Sequence, residues 1–280
     1  MKLCIRAHDL GVKGEENIAG RLCELGLDGV QLVAYKSLED IPYAPDAMTS
    51  SRADVIFKTF EKRGKSIVMA GAYFNPVHPD TSKSVLGTEV FRNYIDCVKS
   101  LGCDLVGSET GSLCGDKWTY HPGNRTEESL EKVIGTFSRL ADHAKEKGVF
   151  VGMEGAFAHV CHDVDTLDKA RRRVGCDRTK IIFDLFNYLD ILGTNVDRRY
   201  DILYHGLEVF GEDIRIFHIK DCVISGDGTL RQVGVGQGIF DYGVMLPLMR
   251  QASPDAALVL EGTTGDDIIP AIKYLKKLLL

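Results

Sequence analysis

Ile214-Arg215-Ile216-Phe217-His218-Ile219-Lys220-Asp221 reads as a buried strand that ends by presenting three ionisable groups together. A lone histidine in such a run is most simply a hydrogen-bonded core residue. Repetition decides otherwise. Val149-Phe150-Val151-Gly152-Met153 stops at Glu154, Ile181-Ile182-Phe183 at Asp184, and Leu258-Val259-Leu260 at Glu261. The intervals between the four groups are 30, 34 and 43 residues, each enough for a strand, a helix and the return to a neighbouring parallel strand. Four strand ends thus bring Glu, Asp, His and Glu to one face of one sheet. Such a cluster repels itself or stays unsatisfied without a partner, and a divalent cation is the simplest one.

Outward from this stretch, strand and helix patterns alternate along the whole chain, the mark of a parallel sheet with crossover helices. Strands are expected near Leu3–Ala7, Gly29–Val33, Ser66–Ala70, Asp104–Gly107, Phe150–Glu154, Lys180–Asp184, Arg215–His218 and Ala257–Glu261. Helices are expected near Glu15–Leu25, Ser51–Arg63, Gly87–Ser100, Thr126–Lys147, Thr166–Val174, Asp201–Phe210, Tyr242–Gln251 and Asp267–Leu279. Eight such units close into an α/β barrel, a single-domain (β/α)8 TIM barrel over residues 1–280. An open doubly wound sheet would show a Gly-x-Gly-x-x-Gly turn after the first strand, where this chain has His8-Asp9-Leu10-Gly11. Gly234-x-Gly236-x-Gly238 follows a polar loop instead of a strand and carries little weight as a nucleotide site. The loops at Tyr73–Leu86, Ser108–Arg125 and Cys222–Asp241 are long and rich in Gly, Pro, His and aromatics, which puts function on that face.

Composition narrows the classes further. At 44% hydrophobic and 26% charged, the chain can build a substantial core. A net charge of −6 argues against a nucleic-acid ligand, and the dense Arg171-Arg172-Arg173 run reads as a solvated helix face. The sequence has no apolar run of membrane-spanning length and enters its first strand directly from Met1, so a cytoplasmic protein without a membrane partner is expected. The eight cysteines, Cys176 among them, are scattered without a Cys-x-x-Cys pair and are read as reduced thiols.

Several motifs together resemble the sugar phosphate isomerase/epimerase group of xylose isomerase-like TIM barrels. They are Val151-Gly152-Met153-Glu154, Phe183-Asp184-Leu185-Phe186-Asn187-Tyr188-Leu189, Phe217-His218-Ile219-Lys220-Asp221, Val233–Gly238 with Asp241-Tyr242, and Leu260-Glu261-Gly262. Tyr73-Phe74-Asn75-Pro76 and Gly107-Ser108-Glu109-Thr110-Gly111 add to the likeness. The resemblance implies one divalent metal on Glu154, Asp184, His218 and Glu261. Ketose 3-epimerases of the group carry a histidine where this chain has Asn187, and an acidic residue where it has Val160 beside His159.

With three carboxylates and one imidazole, Mn²⁺ and Mg²⁺ rank first, then Co²⁺ and Zn²⁺. The expected partner is a small sugar or sugar derivative, and a homo-oligomer is compatible. Glu154 and Glu261, taken to face the substrate from opposite parts of the ring, are read as acid and base around an enediolate, with isomerisation, epimerisation and inosose-type dehydration left open. Lys220 either pairs with the substrate or forms a salt bridge to Asp221 or Glu261. Asn187, Glu109, His8, Asn75, Trp118 and Arg231 are the further substrate-binding candidates, each with a structural role as its alternative. Rival classes are an endonuclease IV-like DNA repair enzyme with a three-zinc cluster and a non-catalytic sugar-binding barrel.

Overall fold

The computed structural model describes residues 1–175 and 177–279, so Cys176 lies outside it. Strands β1 (Leu3–Arg6), β2 (Gly29–Leu32), β3 (Ser66–Gly71), β4 (Leu105–Glu109), β5 (Phe150–Glu154), β6 (Thr179–Asp184), β7 (Ile214–Ile219) and β10 (Ala257–Leu260) close a parallel barrel in the order β1-β10-β7-β6-β5-β4-β3-β2. These strands are buried on both faces, so each reads as a nearly continuous apolar run and not as an alternation.

Parity along the strands sorts their side chains. Cys4, Met69, Leu105, Ile182, Ile216, Ala257 and Val259 form a small cluster separate from the main core, which lies between the strands and the helices. The small cluster is the barrel interior. It is narrow: a Cβ on Gly107 would stand 2.5 Å from Ile182 Cδ1 and 2.6 Å from Met69 Sδ. Two residues beyond Cys4, Ile182, Ile216 and Val259 the same inward face turns polar, at Arg6, Asp184, His218 and Glu261, and Gln31, Glu109 and Glu154 join it at the same even spacing from Gly29, Gly107 and Gly152, so the strand period of two builds the site.

The described structure refines the expected elements in three places. The helix after β3 spans Thr81–Cys97 and starts six residues earlier than its apolar pattern, because Asp80 Oδ1 accepts from Ser82 N at 3.0 Å and caps it. The seventh loop contains an antiparallel hairpin, β8 (Asp221–Ile224) with β9 (Leu230–Val233). Within the arginine run, Arg171 is buried against Asp168, Asp213 and the Phe210 ring, because the helix packs that side against its neighbour; Arg172 and Arg173 remain exposed. The cysteines of the described residues are free.

Candidate metal centre

Asp184 and His218 are opposite one another in the β6–β7 register, and Glu154 ends β5. Glu261 follows β10, its N–H donating to Ile219 O at 3.2 Å. His218 Nδ1 lies 2.7 Å from Glu261 Oε2, 3.1 Å from Glu154 Oε1 and 3.7 Å from Asp184 Oδ2. One donor atom from each of the four residues lies within 4.8 Å of all the others. The four strands are consecutive around the barrel, β5-β6-β7-β10. Glu154 and Glu261 therefore flank the cluster across two intervening strands, and do not face each other across the ring as expected from sequence.

The electrostatics suit a cation. Burial alone would push the His218 imidazole down, yet the carboxylates of Glu261 and Glu154 override it and raise it to about 10. Burial likewise opposes a charged Lys220, and Asp184 and Glu261 hold it above its ordinary value. Lys220 Nζ is 2.8 Å from Asp184 Oδ2 and 3.0 Å from Glu261 Oε1, and donates to Asn187 Oδ1 at 2.9 Å. A proton and an ammonium thus stand among three carboxylates. Even so, Asp184 Oδ2 and Glu261 Oε2 are buried without a well-directed hydrogen bond. Each of these oxygens faces only a charged nitrogen, Lys220 Nζ or His218 Nδ1, and with the imidazole nitrogen they form a donor set that a hard or borderline divalent ion fits.

The remaining candidates divide clearly. Asn187 is at the cluster, donating from Nδ2 to Glu154 Oε1 at 2.9 Å. Glu109 pairs in register with Glu154; burial, then the charges of Glu154 and Glu261, push its carboxyl up to about 8. Trp118 lines a cavity that includes Glu109 and Asn187. His8 sits in a single 3₁₀ turn, Ala7–Leu10, beyond the end of β1, held near 4 by burial and by Arg6, with Nδ1 lacking a partner. Asn75 is buried but spends its amide on Ser112 O, Gly115 O and Val77 N, tying two loops together. Arg231 is exposed on β9; its neighbour Gln232 reaches the site instead, donating to Glu261 O at 2.9 Å.

Asp221 does not pair with Lys220. Its Oδ1 accepts from Cys222 N and Phe240 N, its Oδ2 from Gly236 N and Gly238 N, all at 2.9–3.1 Å. The glycine series wraps this buried carboxylate, and a Cβ on Gly238 would lie 2.2 Å from Asp221 Oδ1. That explains a glycine-rich loop without a nucleotide.

Sequence reasoning missed Arg6, Gln31 and Tyr73. Gln31 Oε1 accepts from His218 Nε2 at 2.7 Å, which leaves Nδ1 turned to the cluster. Gln31 Nε2 donates to Tyr73 Oη at 2.9 Å, which donates to Glu154 Oε2 at 3.2 Å. Arg6 Nη1 donates to Glu261 Oε1 at 2.8 Å. The visible signals were a glutamine inside an apolar strand and an arginine at the end of another.

The family described as xylose isomerase-like TIM barrel matches residues 20–278. The chain belongs to that family. Solved structures of the same fold include a D-tagatose 3-epimerase-like protein, 16% identical with TM-score 0.74, covering 100% of this chain and 97% of that one. A xylose isomerase-like TIM barrel protein from Mycobacterium smegmatis in complex with magnesium is 15% identical with TM-score 0.72, over 94% of this chain and 87% of that one. A "probable 3-DHS dehydratase", AsbF from Bacillus anthracis, is 12% identical with TM-score 0.73, over 99% of both chains. Comparison with curated proteins gives no match. Among the described residues no helix is long and apolar enough to cross a membrane.

Proposed function

We propose that the chain is a divalent-metal-dependent isomerase or epimerase of a small sugar or sugar derivative, working through an enediolate in the cytoplasm. The observation that carries this reading is the pair Glu154 and Glu261, two carboxylates that approach one imidazole nitrogen from different strands. The cation would be held by Glu154, Asp184, His218 and Glu261, with Mn²⁺ or Mg²⁺ first, and would supply stabilisation of negative charge developing on a substrate oxygen. One glutamate removes the proton next to the carbonyl and the other returns it, to the opposite face for epimerisation or to the adjoining carbon for isomerisation. Lys220, held between Asp184, Glu261 and Asn187, places a positive charge and a donor beside the reacting oxygens. The dehydratase among the solved structures supports loss of a β-hydroxyl as the second reading.

The test uses Glu154→Gln and Glu261→Gln. An amide still offers an oxygen to a cation but exchanges no proton at neutral pH, so at least one variant should lose about 10²–10⁴-fold in turnover at saturating metal. Solvent deuterium should still enter the substrate from the intact side. Full turnover in both variants with metal in excess would leave the glutamates as ligands only and sink the acid–base assignment.

A further inference from the structure

Next to the cluster lies a cavity of about 340 Å³ whose walls include Glu109, Trp118, Phe157, His159, Phe186 and Ile191. That is the small end of the range for small-molecule pockets, about 300–1,000 Å³. Asn187 joins the cavity to the cluster, since it lines the one and donates to Glu154 in the other. Among the described residues no lysine or arginine lines the cavity; the Lys220 ammonium, 5.7 Å from the centre of the Phe186 ring and bonded to Asn187 Oδ1, is held behind that wall by Asp184 and Glu261. Arg125, on the adjoining loop, is spent on the carbonyls of Phe157 and His159 and stacks on Tyr120 and Phe157. The second acidic group of the lining, Asp190, is likewise committed to its own loop through Leu192 N and Thr194 Oγ1.

Two features distinguish the wall. His159 is 3% exposed, and its Nδ1 has no hydrogen-bond partner. Trp118 packs on it with ring centroids 5.3 Å apart and is held at φ +53°, the one non-glycine residue with positive φ among those described. A bulky residue in that backbone region is strained and persists only where its surroundings fix it.

We propose that this cavity receives the end of the substrate remote from the reacting carbons, and that Trp118 and His159 select a neutral polyhydroxylated substrate over its phosphorylated counterpart. The proposal deepens the functional reading above and rests on it. Aromatic faces cover the C–H faces of a sugar, and the imidazole satisfies one hydroxyl that would otherwise be buried unpaired. A phosphate dianion in the same place would be stripped of water beside Glu109 with no lining cation to receive it.

Trp118 is the only tryptophan, so its fluorescence reports binding at this wall independently of turnover. With Mn²⁺ present, free ketopentoses, ketohexoses and inososes are titrated against the phosphate esters of the same sugars, and turnover is followed in parallel. Neutral compounds should change the emission saturably, with the matched esters at least about tenfold weaker. His159→Arg should narrow or reverse that ratio, whereas His159→Gln, which keeps a hydrogen-bonding group, should preserve it. Esters that bind as tightly as the neutral sugars would overturn the proposal, as would turnover of a neutral sugar without any Trp118 response, or no response to any compound. Saturable binding of neutral sugars with no reaction on any of them would support the pocket assignment while removing the isomerase reading.

Discussion

Gln31 fixes which edge of His218 faces the carboxylates, and those carboxylates keep a proton on that edge far into the alkaline range. A cation bound here would compete with that proton for Nδ1, so its affinity should rise with pH until His218 becomes neutral near 10. Glu109 carries a second proton: burial and its neighbours hold it to about 8, and a cation among those neighbours offsets the repulsion that keeps it neutral. Calorimetric titration with Mn²⁺ in buffers of different ionisation enthalpy should thus show about two protons released per ion at pH 7 and about one at pH 9. A release that does not fall over this interval would take Glu109 out of the coupled set. At this scale the sequence was readable only in part. The four candidate ligands stood out because each ends an apolar run, whereas Tyr73 reaches Glu154 across separate strands, and linear order holds no trace of that contact.

Among the elements, the seventh loop departs most from its sequence reading. A polar, glycine-rich stretch looked unstructured because its organising group, Asp221, sits at its start, while two of the four N–H groups it binds lie at Gly236 and Gly238. This carboxylate is fully buried, and removing its acceptors strands those donors. Asp221→Ala should lower unfolding free energy by about 2–4 kcal/mol in a denaturant titration. It should also cut activity more than stability alone accounts for, since Gln232 on β9 holds the Glu261 carbonyl. An Asp221→Ala protein with wild-type midpoint and turnover would show the hairpin to be held by other contacts. The barrel strands, in contrast, were readable almost to the residue, because a strand buried on both faces has to be apolar throughout and its end is where that ceases.

For the whole molecule, the site and the closure of the barrel are one structure. Arg6 on β1 reaches Glu261 after β10, and Gly262 N donates to Asp9 Oδ2 at 2.8 Å, so the seam between first and last barrel strands runs through a metal-ligand candidate. An ion bound only by the closed barrel stabilises it by about 2.7 kcal/mol at one hundred times its Kd, or roughly 5–10 °C in the thermal midpoint. Differential scanning calorimetry with Mn²⁺ and then with EDTA should show that rise and its reversal, and Asp184→Asn should shrink it. The overall architecture was legible from the count of alternating units alone.

The four candidate ligands come from four separate strand ends, and the last of them, Glu261, is reached only after the other seven barrel strands have passed. During synthesis, a growing chain can assemble three members of the site but neither the fourth nor the seam that Arg6 closes. A cation that needs all four groups would be captured only at the end of translation. A chain that stopped ahead of β10 would lack the fourth group and keep its first strand unpaired on one side, an open edge available to other chains.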